Sequence, residues 1–131
     1  MESKVAPFLM FEGQAEEAMN FYTSVFAPAE IVSIKRYGPN EAGPEGSVLQ
    51  AAFSIKGQNI MCIDSFVQHA FTFTPAISLF VHCDSEEELT EAFGKLAEGG
   101  AVLMPLDKYP FAEKFGWVQD RFGVSWQLSW N

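Results

Sequence analysis

Residues 85–100 read SEEELTEAFGKLAEGG, and this stretch predicts an amphipathic helix with both of its ends marked. The apolar residues recur with the three- and four-residue spacing of one helix face, at Leu89, Ala92, Phe93, Leu96 and Ala97. Ser85 followed by Glu88 is a capping box at the start, and Gly99-Gly100 is a typical helix end. The sequence therefore predicts a helix over residues 86–97.

An earlier stretch, residues 15–26, predicts a second helix of the same kind. Its apolar face is made by Ala15, Ala18, Met19, Tyr22, Val25 and Phe26. Pro28 follows soon after and cannot continue a helix. When the two helices are overlaid with a shift of 71 positions, Glu16-Glu17-Ala18 falls on Glu87-Glu88-Leu89. This overlap indicates an internal duplication.

The rest of the chain predicts strands separated by loops. They cover residues 7–11, 31–36, 48–55 and 59–64 around the first helix, and residues 77–83, 102–104, 115–119 and 124–130 around the second. The order is strand, helix and three strands, and then the same again. We therefore expect an α+β fold in a single domain, with module one at 1–65, a connecting stretch at 66–75 and module two at 76–131.

The charge balance argues against two classes of partner. The 131 residues include eight Lys and Arg and 17 Asp and Glu, which gives a net charge of −9. Such a surface repels the phosphate backbone of nucleic acids and the headgroups of anionic membranes. We expect neither as a partner.

The sequence also favours a cytoplasmic location. No stretch reaches the roughly 18 uninterrupted apolar residues of a membrane span, and the start, Met1-Glu2-Ser3-Lys4, lacks the layout of a signal peptide. Cys62 and Cys83 are then expected to be reduced, buried thiols. They form neither a zinc knuckle nor a Cys-x-x-Cys motif.

Three groups of motifs carry a family resemblance that covers nearly the whole chain. They are Phe8-Leu9-Met10-Phe11 with Ala15-Glu16-Glu17-Ala18 and Phe21-Tyr22, then Ile60-Met61-Cys62-Ile63-Asp64, and finally Phe115-Gly116-Trp117 with Asp120-Arg121-Phe122-Gly123-Val124-Ser125-Trp126-Gln127. The chain resembles PhnB-like proteins of the vicinal oxygen chelate (glyoxalase/bleomycin resistance/dioxygenase) superfamily, also catalogued as 3-demethylubiquinone-9 3-methyltransferase-like. The resemblance implies two βαβββ modules whose strands form a curled mixed sheet around a cup. No Gly-rich turn follows the first strand, so the usual nucleotide-binding signature is absent.

The resemblance also implies where a metal would bind. Metal-dependent relatives hold a divalent ion with two His and two Glu from the first and last strands of each module. Here those positions fall on Pro7, Ser78 and Gln127, with the fourth near Cys62. These are poor ligands for a hard cation, which prefers carboxylates, and for zinc or nickel, which prefer imidazole or thiolate. We therefore expect no metal and no cofactor.

Strand alternation gives the residues expected to face the cup. They are Ser78, Phe80, His82, Ser125, Gln127, Cys62 and Asp64, with Ser129 on the same face of the last strand. His82 fits either a hydrogen-bonded strand-end histidine or an acid or base that contacts a ligand. Asp64 fits equally a residue that caps the following turn. Trp126 is expected on the opposite face, against a helix.

Three functions agree with these features. The first is a metal-independent binding module or isomerase-type enzyme that holds a small organic molecule in an apolar cup. The second is a divalent-metal enzyme with an atypical set such as His82, Asp64, Cys62 and Gln127. The third is a structural homodimer without a ligand. A homodimer is expected in any case, because Phe66, Phe71 and Phe73 add apolar surface to a chain with open strand edges.

Overall fold

The structure is a computed structural model that describes residues 4–131. Its elements follow the predicted order, with strand, helix and three strands occurring twice. They are β1 (Phe8–Phe11), α1 (Ala15–Val25), β2 (Ala29–Arg36), β3 (Val48–Ile55), β4 (Gln58–Asp64), β5 (Leu79–His82), α2 (Glu86–Ala97), β6 (Ala101–Tyr109), β7 (Ala112–Gln119) and β8 (Ser125–Trp130). The chain divides into two compact units, the first ending at His69 and the second covering Ala70–Asn131.

Each unit contains one mixed four-stranded sheet with the same connectivity. The strand order is β1-β4-β3-β2 in the first sheet and β5-β8-β7-β6 in the second. In both sheets the first and last strands of the module pair in parallel, and the other pairs are antiparallel. The α+β class and the duplicated βαβββ module are confirmed. The single curled sheet that we expected is instead two separate four-stranded sheets.

Helix α1 covers one face of the first sheet. The ring of Tyr22 stacks on Phe53 of β3 with 6.0 Å between ring centroids, and both side chains are fully buried. The helix ends at Val25, one residue before the predicted end, because Phe26 is already extended. Within residues 4–131, no helix is long and apolar enough to cross a membrane.

Helix α2 has the predicted bounds and the predicted cap. The Ser85 hydroxyl accepts a hydrogen bond from the Glu88 backbone N–H at 3.0 Å, and the Glu88 carboxylate accepts one from the Asp84 backbone N–H. The helix packs closely on β7, since a Cβ added to Gly116 would lie 2.5 Å from the ring of Phe93. This contact marks the face of the second sheet that the helix covers.

Strand β6 is longer than predicted. We expected it to cover only residues 102–104, but it runs from Ala101 to Tyr109 through Pro105. It lies at the edge of the sheet, where proline does not interrupt hydrogen bonding to a second neighbour. Its pairing with β7 shifts register at three points. These irregularities remove the regular alternation that would identify the strand in the sequence.

Candidate ligand-binding face

The open face of each sheet, which we define as the face opposite its helix, is identified by strand register. In the second sheet, Gly116 and Val118 lie on the helix side, and Val118 is paired with Trp126. Trp126 is therefore on the helix side and is fully buried. Ser125, Gln127 and Ser129 alternate with it and lie on the open face, which is the alternation that the sequence predicts.

Four side chains form a hydrogen-bonded network on the open face of the second sheet. The hydroxyl oxygens of Ser78 and Ser125 are 2.7 Å apart. The indole N–H of Trp117 donates to the Ser125 hydroxyl at 2.8 Å, and the Gln127 amide donates to the Ser78 hydroxyl at 3.2 Å. The structure thus brings together three of the predicted residues and adds Trp117. We call these four side chains the serine network.

An aromatic strip continues the same face beyond the serine network. Phe80 pairs with Gln127 in the parallel ladder, and its ring lies 4.9 Å from the His82 ring and 6.3 Å from the Phe115 ring. Phe115 in turn contacts Phe111 at 4.9 Å between ring centroids. Phe80 is half exposed, so part of this apolar strip is open to a ligand.

The sequence analysis did not single out Trp117 or Phe115 as site residues, and Phe115 is buried. Both lie on the open face because they alternate with Gly116, which faces the helix. The available signal was the pairing of β7 with β8, since Trp117 pairs with Gln127 and Phe115 with Ser129.

Asp64 and Cys62 are placed differently from our expectation. One carboxylate oxygen of Asp64 accepts hydrogen bonds from the backbone N–H groups of Gly13 and Ala15, at 3.0 and 2.8 Å. The other accepts one from the N–H of Val48 at 3.0 Å. Asp64 therefore points toward the start of α1 and away from the open face. It caps this earlier helix, whereas the alternative predicted from the sequence was a cap for the turn that follows Asp64.

Cys62 shares the helix side with Asp64 by alternation along β4 and is fully buried. Burial is the main cause that raises the pKa of its thiol to about 12, and the nearby Asp64 carboxylate adds to the effect. A buried thiol with a raised pKa stays protonated at neutral pH and is a poor nucleophile. Cys62 and Cys83 are both buried and neither forms a disulfide.

The open face of the first sheet is largely apolar at its first and last strands. Phe11 pairs with Asp64 and is buried with it, so Phe8 and Met10 lie on the open face with Met61 and Ile63. Farther along the sheet is a pocket of about 210 Å³, lined by Ser33, Ile34, Lys35, Gln50, Ala51, Ala52 and Met61. The polar candidates thus gather on the second sheet, and those assigned to the first sheet face its helix.

The residues present do not fit the metal site that the resemblance implies. Among residues 4–131 there is no group of three or more His, Cys, Asp or Glu side chains placed to hold an ion. Pro7 has no ligating side chain, and the hydroxyl of Ser78 is bonded to Ser125 and Gln127. Neutral hydroxyl and amide groups are weak ligands for zinc and nickel. We derive no step of function through a metal.

Comparison with known proteins identifies the family. The model of the family described as 3-demethylubiquinone-9 3-methyltransferase matches residues 3–129. The chain belongs to this family. It is 60% identical to the PhnB protein from Bacillus cereus, whose structure superposes with a TM-score of 0.94 over 98% of this chain and 100% of that one. It is also 25% identical to the protein YjdN from Escherichia coli, over 95% of this chain and 93% of its relative.

A more distant solved structure shares the fold. The fosfomycin resistance protein FosX from Listeria monocytogenes superposes with a TM-score of 0.67 at 14% identity, covering all of this chain and 94% of that one. At this identity the likeness concerns the fold alone. The family match and the PhnB structure confirm the PhnB-like resemblance that the sequence motifs predicted.

Proposed function

We propose that this protein binds a small organic molecule on the open face of its second sheet and does so without a metal ion. The observation that carries the proposal is the serine network lying directly beside the half-exposed ring of Phe80. A small set of polar groups next to an apolar surface is the usual composition of a ligand site. Neither Cys62 nor Cys83 forms a disulfide, and a reducing compartment such as the cytoplasm suits such a protein.

A metal-dependent enzyme that uses His82, Asp64, Cys62 and Gln127 has less support. Both oxygens of the Asp64 carboxylate are engaged by backbone N–H groups, and the Cys62 thiol is buried and holds its proton. Recruiting either side chain to an ion would break native hydrogen bonds or require a costly deprotonation. Ligand recognition by neutral groups and aromatic rings requires neither change.

The test uses Nile red, a neutral aromatic dye that carries a carbonyl group and fluoresces more strongly when it leaves water. We expect saturable binding whose affinity changes by less than about twofold after EDTA treatment or on addition of manganese or zinc. Phe80→Ala should weaken the binding roughly fivefold, in line with about 1 kcal/mol for a lost aromatic contact. Titration followed by fluorescence measures both effects.

The matched control is Phe66→Ala in the first unit. Phe66 is 54% exposed and Phe80 is 50% exposed, so a non-specific loss of apolar surface would affect both variants equally. We expect Phe66→Ala to bind the dye as the unaltered protein does. Loss of binding in EDTA would contradict the metal-independent site, and an absence of saturable binding would favour a structural role without a ligand.

The chain is also proposed to form a homodimer. Phe66 and Phe71 are 54% and 64% exposed as residues, and Phe66 makes an edge contact with Tyr37. Exposed aromatic side chains of this size favour association, and two-fold pairing is the commonest soluble assembly. Sedimentation at about micromolar concentration should give a species of twice the 14.6 kDa chain mass.

The same measurement on two variants tests which surface forms the dimer. Phe71→Glu should raise the dissociation constant at least about tenfold, because the interface would bury an unpaired charge. Val5→Glu places the same charge at an 87% exposed position outside every strand and helix, and should leave the dimer unchanged. A single species of one chain mass would rule out the dimer.

A further inference from the structure

The serine network contains one more hydroxyl proton than its own acceptors use. Trp117 contributes an N–H to the Ser125 oxygen, and Gln127 contributes one to the Ser78 oxygen. The contact between the two hydroxyls, at 2.7 Å, consumes only one of their two protons. The remaining hydroxyl proton must point out of the network, because each serine has a single O–H to donate.

Burial decides which serine carries the outward proton. Ser125 is 2% exposed, so an outward proton on its hydroxyl would be a buried donor without an acceptor, which is costly. Ser78 is only half-buried, and its proton can reach water or a ligand. Ser125 therefore donates to Ser78. The Ser78 oxygen then accepts from both Ser125 and Gln127, which occupies its two lone pairs.

This arrangement makes Ser78 a donor only. With both lone pairs engaged inside the network, its hydroxyl can bind an oxygen or nitrogen acceptor but cannot accept from an N–H group. The Gln127 side chain is half-buried beside it and retains a carbonyl oxygen and a second N–H. The side chains of the serine network carry no permanent charge, so they offer no ion pair to a charged ligand.

We infer that the ligand is an uncharged molecule that presents a carbonyl or amide oxygen to the Ser78 hydroxyl and lays an aromatic or other flat apolar body against Phe80. This inference rests on the proposed function and names its ligand class. A primary or secondary amide fits best, because its N–H can bond the free Gln127 oxygen while its carbonyl accepts from Ser78. An anion would lose hydration without gaining a cationic partner from the network, in a protein of net charge −9.

Four probes of nearly equal size test the ligand class: benzamide, benzoate, benzylammonium and toluene. They share one ring and differ in the group that would meet Ser78. Binding is followed by the NMR signal of the Trp117 indole N–H, which is assigned with the Trp117→Phe variant. We expect benzamide to shift this signal saturably, with an affinity about tenfold above those of benzoate, benzylammonium and toluene.

Variants at Ser78 separate donor recognition from simple packing. Ser78→Ala should lower the affinity for benzamide to the level for toluene while leaving toluene binding unchanged, and Ser78→Thr, which keeps the hydroxyl, should retain the preference for benzamide. Ser129→Ala is the control, because Ser129 lies on the same face of β8 and is not part of the serine network. It should bind all four probes as the unaltered protein does.

The outcomes distinguish the ligand class from the proposed function. If benzoate or benzylammonium bound as tightly as benzamide, or if Ser78→Ala weakened all four probes equally, the neutral-acceptor class would be overturned while a ligand site remained. If none of the four moved the Trp117 signal at up to about 20 mM, where even very weak binding is detectable, both the class and the proposed binding face would fail.

Discussion

Replacing Gly100 with alanine is expected to lower the free energy of unfolding by at least about 3 kcal/mol, because the new methyl group would meet backbone rather than side chains. A Cβ at this position would overlap the carbonyl oxygen of Gln119 and lie 3.0 Å from the Cα of Asp120. Both residues belong to the end of β7 and the turn into β8. A side chain could rotate away, but these backbone atoms are fixed by strand pairing. Urea unfolding followed by circular dichroism measures the loss.

Helix α2, which ends three residues before Gly100, contains a control glycine whose replacement meets no neighbouring atoms. Gly94 lies within α2, and a Cβ there would have nothing within 4 Å. Gly94→Ala should raise the free energy of unfolding by about 0.5–1 kcal/mol, because alanine restricts the unfolded chain and favours the helix. If the free energy of unfolding of Gly100→Ala were within about 1 kcal/mol of that of the unaltered protein, the chain after α2 could not approach the end of β7 as closely as described.

The elements that the sequence predicted well are those specified by neighbouring residues. The bounds of α2 follow from the Ser85–Glu88 cap and an apolar period that lies entirely within the helix. The direction of Ser125 and Gln127 follows from a regular alternation in β8. In both cases the information lies within about a dozen residues, so periodicity and capping chemistry are sufficient.

The parts that the sequence did not predict depend on pairings between distant strands. Alternation along β4 puts Cys62 and Asp64 on one side, but it does not say which side faces the helix. The helix side is fixed by hydrogen bonds that the Asp64 carboxylate accepts from backbone N–H groups 49 and 51 positions away. In the same way, β6 continues through Pro105 because β7 pairs with it. Neither the hydrogen bonds of Asp64 nor the pairing of β6 with β7 can be predicted from neighbouring residues in the sequence.

The candidate site was only partly predictable for a similar reason. Ser78, Ser125 and Gln127 were identified by strand alternation, yet their hydrogen bonds to one another depend on the parallel pairing of β5 with β8. Trp117 joins them from β7, across a residue pair that only the antiparallel register reveals. Strand alternation in a sequence predicts which residues share a face, but the pairing of the strands determines which of them are in contact.

Replacing Asp64 with alanine is the second change from which we expect a large loss, again about 3 kcal/mol of unfolding free energy. Helix α1 begins after Gln14, whose side chain makes no capping hydrogen bond. Asp64, at the end of β4, caps the helix instead, because its carboxylate accepts hydrogen bonds from the backbone N–H groups of Gly13 and Ala15. It also accepts a hydrogen bond from the N–H of Val48. Alanine would leave these three N–H groups without their acceptor and would remove a negative charge from the start of the helix.

Two further variants show whether the carboxylate acts in this way. Asp64→Asn keeps the shape and one acceptor oxygen, but its NH₂ group would face the N–H of Val48, so we expect an intermediate loss of about 2 kcal/mol. Asp107→Asn is the control, because Asp107 is exposed and its carboxylate accepts one backbone N–H, from Lys108; it should change stability by less than about 0.5 kcal/mol. Hydrogen exchange should accelerate at Val48 in Asp64→Asn, and at Val48 and Ala15 together in Asp64→Ala. If the Val48 and Ala15 amides were equally protected from hydrogen exchange in all variants, Asp64 would not connect α1 to its sheet through these hydrogen bonds.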